Sequence, residues 1–140
     1  MAIQFHELEI NAGIRKPNLI KKWLAYVITC EGKRTGNINI IFTSDEKLSV
    51  LNKKYLSKDS LTDIITFDYS ENQIIAGDLY ISIPRVSENA AIFNVAFKHE
   101  VKRVIVHGIL HLLGYDDKSQ KQRTDMRRME DLYLKDSPEL

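Results

Sequence analysis

From Val104 to Leu113 every residue is apolar or glycine except two, His107 and His111. A stretch with no polar face, closed by Gly114, reads as a helix buried on all sides. The rest of the chain must therefore wrap that helix. A buried imidazole left without a partner costs roughly 1–3 kcal/mol, so each histidine needs a hydrogen bond or a metal ion.

Histidines four residues apart lie on one helix face, about 6 Å apart along the axis. Gly114 can take a positive φ and let the chain turn back. Asp117 then returns, ten residues after His107. Two imidazoles and a carboxylate with a fourth position open make a catalytic zinc arrangement, whereas a structural site is closed by four ligands. The same ligand set suits iron or manganese. Asp116, one residue nearer, competes with Asp117. A bare His-x-x-x-His also fits two core histidines bonded to backbone, with Gly114 as an ordinary cap and Asp117 starting the next helix. The spacing His-x-x-x-His-x-x-Gly-x-x-ligand is shared with metzincin proteases, which need a glutamate after the first histidine. That position is Gly108 here, so a peptidase reading lacks its base.

The flanks supply the wrapping layers. Ile3 to Leu8, Asn37 to Phe42, Asp63 to Tyr69 and Gly77 to Ile83 read as strands. Helices are expected from Pro17, from a Thr43-Ser44-Asp45-Glu46 capping box, from Pro84, from about Lys98 to Leu113, and from about Ser119 to Leu134. The order β-α-β-α-β-β-α-α-α predicts an α+β fold. It has a single mixed four-stranded sheet covered by about five helices, with the metal site at the C-terminal end of a buried helix.

Composition narrows the class. The 140 residues, 44% hydrophobic and 28% charged, suit one globular domain over 1–140. The lone Cys30 excludes an internal disulfide and fits a reducing cytosol. No apolar run is long enough to span a membrane, and Met1 to Ile10 lacks a signal-peptide pattern. The net charge is +1, but residues 98–128 carry eight basic and four acidic side chains. This positive excess can attract a polyanion or be a solvated helical face.

His107-Gly108-Ile109-Leu110-His111-Leu112-Leu113-Gly114-Tyr115-Asp116-Asp117 resembles the signature of the rRNA maturation endoribonuclease YbeY family, His-Gly-x-Leu-His-Leu-x-Gly-Tyr-Asp-His. Leu51-Asn52, Tyr55, Lys58-Asp59, Thr62-Asp63-Ile64, Gly77-Asp78-Leu79, Glu100 and Arg103-Val104 extend the likeness over residues 36 to 117. The resemblance implies a cytoplasmic, metal-dependent, single-strand-directed endoribonuclease in 16S rRNA 3′-end maturation and ribosome quality control. Its partners would be rRNA and a ribosomal subunit, with neither membrane nor DNA. It makes His107 and His111 zinc ligands and gives Asp117 the third place, where the family usually has histidine. A carboxylate there leaves the ion a weaker Lewis acid. A second departure is Leu56, where the family usually has arginine. A non-catalytic ribosome-maturation factor braced by the metal is the alternative.

Helpers are expected around the ligands. Arg103, one turn before His107, is the candidate to grip a phosphate. Lys54 and Lys58 flank Leu56. Asp78 or Glu100 can orient a histidine, although Glu100 reads more simply as a surface charge. Met126 and Met129 read as packing, and Trp23 and Tyr26 as core. The general base is not identifiable.

Overall fold

The computed structural model describes residues 2–8, 10–56 and 62–140, so Lys58 and Asp59 lie outside the described residues. Apolar alternation builds four strands: β1 (Ile3–Glu7), β2 (Arg34–Thr43), β3 (Ile64–Asp68) and β4 (Ile74–Ser82). They form one sheet in the order β1-β2-β4-β3. β1 and β4 run parallel to β2, and β3 runs antiparallel to β4. Parallel neighbours need crossovers. Helix α1 (Pro17–Cys30) supplies the first, and α2 (Asp45–Leu56) with β3 lies in the second. Helices α3 (Ile83–Ile92), α4 (Phe97–Leu112) and α5 (Gln120–Leu134) follow. Among the described residues the class is α+β, a mixed four-stranded sheet with five helices, as the sequence pattern indicates.

Side chains alternate between the two sheet faces. Ile38, Ile40, Phe42, Leu79 and Ile81 join the buried residues of α1 and α4 in the main core. Ile65 instead packs under Leu48 and Leu51 of α2, beside Phe67 and Tyr80. Helix α4 is buried at Val104, Ile105, Val106, Gly108, Ile109, Leu110 and Leu112, as its composition requires.

Some boundaries and caps differ from the expectation. β2 and β4 start earlier, at Arg34 and Ile74, because those residues pair with each other despite lacking alternation. The cap of α2 is Ser44, whose Oγ accepts from the Lys47 amide at 3.2 Å, rather than a Thr43–Glu46 box. Trp23 is buried and donates Nε1–H to the Tyr133 carbonyl at 3.0 Å. Tyr26, expected in the core, is exposed; it lies three residues on, off the stripe Ile20–Trp23–Leu24–Val27 that faces the sheet.

Two glycines set how closely α4 meets the sheet. A Cβ on Gly108 would lie 2.8 Å from an Ile64 methyl and 2.9 Å from a Leu79 methyl. The position is a contact surface, and any side chain there would have to push both aside. A Cβ on Gly77 would strike the Phe67 carbonyl oxygen and come within 2.7 Å of a Leu112 methyl. The carbonyl belongs to the sheet ladder and cannot step aside. Gly77→Ala is expected to lower stability by about 1–3 kcal/mol by overpacking, read as a lower urea midpoint with an unchanged slope. An unchanged midpoint would show that the α4–sheet spacing is not fixed there.

A candidate metal centre at the end of helix α4

Helix α4 ends in a two-bond reversal. The Tyr115 amide donates to the Leu110 carbonyl at 3.0 Å and the Gly114 amide to the His111 carbonyl at 3.0 Å. Gly114 sits at φ +103°, where a side chain would be strained. Tyr115 and Tyr133 both donate their hydroxyls to Glu31 at the end of α1, the Tyr115 bond being 2.7 Å. Burial first, then the Glu31 carboxylate, pushes the Tyr115 phenol up to about 12. The reversal is thus tied to α1 and α5, and it carries the chain back past the two histidines.

Three donor atoms meet there. His107 Nε2 and His111 Nε2 are 3.1 Å apart. Asp117 Oδ2 lies 3.3 Å from His111 Nε2 and 3.6 Å from His107 Nε2. Ligands about 2.0–2.1 Å from a tetrahedral ion are separated by about 3.3–3.5 Å. The observed triangle has that size, so the donor set fits one ion. Side-chain exposures of 23% and 24% for the histidines and 42% for Asp117 leave the outer side of the triangle open. Asp116 does not enter it. Its Oδ1 accepts from the Asp117 amide at 2.8 Å, and its Oδ2 faces Lys118 at 3.9 Å.

The residue that orients His107 comes from α5. His107 Nδ1 lies 2.6 Å from Glu130 Oε2. A proton on Nδ1 donates to that carboxylate and leaves the Nε2 lone pair facing the triangle. Glu130 is almost fully buried, 6% exposed, and also accepts from Arg103 Nη1 at 2.8 Å. Arg103, 11% exposed, donates its other nitrogen to Asp131 at 2.6 Å. Burial opposes the charge on His107, but the Glu130 hydrogen bond and charge outweigh it and raise its pKa. Burial likewise disfavours the Glu130 carboxylate, and His107 and Arg103 outweigh that to lower its pKa.

A cavity of about 410 Å³ opens in front of the triangle. Its walls include Asp63, Asn89, Glu100, Arg103, His107, Asp117, Met126, Arg127 and Glu130. Glu100, expected as a surface charge, is buried. Burial and then Asp63 push its carboxyl up, and burial pushes up Asp63. Met126 is buried and lines the cavity, while Met129 packs at the core margin. Asp78 points to the other face of the sheet, where it accepts from Asn39 at 3.1 Å; Leu79 next to it takes the α4 face. Leu56 is exposed and brings no donor, and Lys54 lies over the Tyr55 ring at 5.2 Å. Glu130 was missed from sequence. Its signal is the stripe Met126–Glu130–Tyr133, which puts an acid on the buried face of α5.

The endoribonuclease YbeY family model matches residues 3–137. The chain belongs to the YbeY family. Endoribonuclease YbeY of Flavobacterium psychrophilum is 49% identical over 127 residues, covering 91% of both chains. That of Parabacteroides distasonis is 42% identical over 139 residues, covering 99% of this chain and 98% of its own. A solution structure of a Thermotoga maritima protein superposes with a TM-score of 0.69 at 29% identity, over 95% of this chain and 87% of its own. In this YbeY chain the segment from His107 to Asp117 closes α4 and carries the three donor atoms.

Proposed function

We propose that this YbeY chain is a metal-dependent, single-strand-directed endoribonuclease that trims the 3′ end of 16S rRNA in the cytoplasm, on or near a ribosomal subunit. His107, His111 and Asp117 hold the ion, with zinc first and iron or manganese as alternatives. The observation that carries this is the donor triangle of 3.1, 3.3 and 3.6 Å at the mouth of an open cavity. When bound, a divalent ion supplies Lewis acidity to a phosphodiester and its nucleophile. The chain's own residues set that chemistry up. Glu130 fixes the His107 tautomer and ring, Arg103 keeps Glu130 ionised, and Asp117 completes the charge. Gly108 takes no proton, so a peptidase mechanism has no support at that position. Asp63 and Glu100 stand on the cavity wall as carboxyls raised by burial.

The test is cleavage of single-stranded RNA by purified protein. Activity removed by a chelator and restored by zinc supports the reading. Unaffected activity points to a contaminant, and turnover of a peptide library instead would revive the peptidase. No described helix is long and apolar enough to cross a membrane.

Metal retention should depend on pH in a definite sense. The ion needs His107 Nε2 free of its proton. The raised His107 pKa means that, in the metal-free chain, protons compete from above the ordinary histidine range. Affinity should therefore fall as pH falls between roughly 8 and 5. Zinc affinity flat across that range would contradict His107 as a ligand.

A further inference from the structure

The cavity wall carries three guanidinium groups, and their engagements differ. Arg103 is committed to Glu130 and Asp131. Arg123 Nη1 donates to the carbonyls of Asp117 at 3.3 Å and Lys118 at 3.1 Å, bracing the loop that presents Asp117. Arg127 makes no hydrogen bond or ion pair among the described residues, although its field reaches Glu100 and His99. It is exposed and lines the cavity from α5. The same wall carries four carboxylates, Asp63, Glu100, Asp117 and Glu130. A polyanion approaching them meets repulsion unless an uncommitted cation receives it.

Arg127 also belongs to a second concavity. A groove of about 660 Å³ on the outer face of α5 is lined by Arg123, Arg127, Arg128 and Lys135, among others. Arg123 and Arg127 line both spaces, so the groove and the cavity share an edge. Arg128 is paired with Asp125 at 3.2 Å. Lys135, like Arg127, has no ion pair among the described residues. The two lie eight residues apart, about 12 Å along the helix. This is a short cationic track beginning at the metal cavity, the arrangement that tracks a phosphate backbone.

We propose that Arg127 seats a backbone phosphate of single-stranded RNA at the mouth of the His107 cavity, and that the strand leaves along the outer α5 groove toward Lys135. This rests on the endoribonuclease reading above and adds a substrate-binding residue and a strand path to it.

The test is fluorescence anisotropy of zinc-loaded protein with a 2′-O-methyl single-stranded oligomer of about 12 nucleotides, between roughly 50 and 200 mM salt. Arg127→Ala is expected to weaken binding about fivefold. The slope of log affinity against log salt should become shallower by about 0.7, one phosphate contact on a single strand. Arg127→Lys should recover most of the loss. Lys47→Ala, which removes the same charge from exposed α2, should change binding less than about twofold. Zinc content should match the wild type in every variant. Wild-type affinity and slope in Arg127→Ala, or an equal loss in Lys47→Ala, overturns the assignment and leaves the endoribonuclease reading standing. No binding by the wild type overturns both.

Discussion

Replacing His111 with alanine is expected to abolish metal retention after dialysis and to lower single-stranded RNA cleavage roughly a thousandfold, the equivalent of about 4 kcal/mol of barrier. The triangle has three corners, and removing one leaves His107 and Asp117 3.6 Å apart with nothing to close the shell. Two protein ligands do not make a stable zinc site in water, where three are the working minimum. The fold should survive, because the His111 ring is part-exposed and its polar contacts among the described residues are the other two ligands. An unfolding midpoint near that of the metal-free wild type checks this. Retained zinc and retained cleavage in this variant would remove His111 from the site.

Glu130→Ala is expected to do damage of two kinds. Arg103 would keep only the exposed Asp131, so a buried guanidinium loses its buried partner. Breaking a buried pair costs about 3–5 kcal/mol; the surviving Asp131 contact puts the expected loss at the low end, about 3 kcal/mol. His107 would also lose the acceptor for its Nδ1–H, and removing such a partner lowers metal affinity about 10–100-fold. Glu130→Gln separates the two, since it keeps the shape and removes the charge. It should recover part of the stability and little of the affinity. Thermal melts with and without zinc, together with competitive zinc titration, check both. If Glu130→Ala binds zinc as the wild type does, the carboxylate does not orient His107.

The same pair has a pH signature in the metal-free chain. Glu130 has a lowered pKa, so its contribution is present above the unfolded carboxylate range and is lost as pH falls through the depressed value. His107 has a raised pKa, so its contribution is present below the unfolded histidine range and is lost as pH rises through the raised value. The pair stabilises most between those bounds.

The segment around α4 was legible because its chemistry is local. An apolar stretch broken by two histidines four apart admits one face, one reversal at Gly114 and one return to Asp117. The resemblance put Asp117 ahead of Asp116, and the backbone gives the physical reason: Asp116 turns to accept from the next amide. The number of strands followed from alternation, whereas the order β1-β2-β4-β3 and the extra length of β2 and β4 came from pairing between segments far apart in sequence. Glu130 was hidden for the same reason. It lies 23 residues from His107, and only the packing of α5 on α4 brings them together. Arg103 shows the reverse difficulty. Its position one turn before His107 suggested a phosphate grip, but a sequence does not show that both its terminal nitrogens donate to Glu130 and Asp131. Gly108 read as a missing base, and the structure gives it a physical task as the contact between α4 and the Ile64 and Leu79 side chains.

The most direct test is X-ray absorption at the edge of the metal found in protein as purified. Two histidine nitrogens and one carboxylate oxygen at about 2.0–2.2 Å, with the metal and its edge signal lost in His107→Ala, are the expected result. A shell containing sulfur, or one left unchanged by His107→Ala, would mean that the ion is held elsewhere and that the triangle at the end of α4 is not its site.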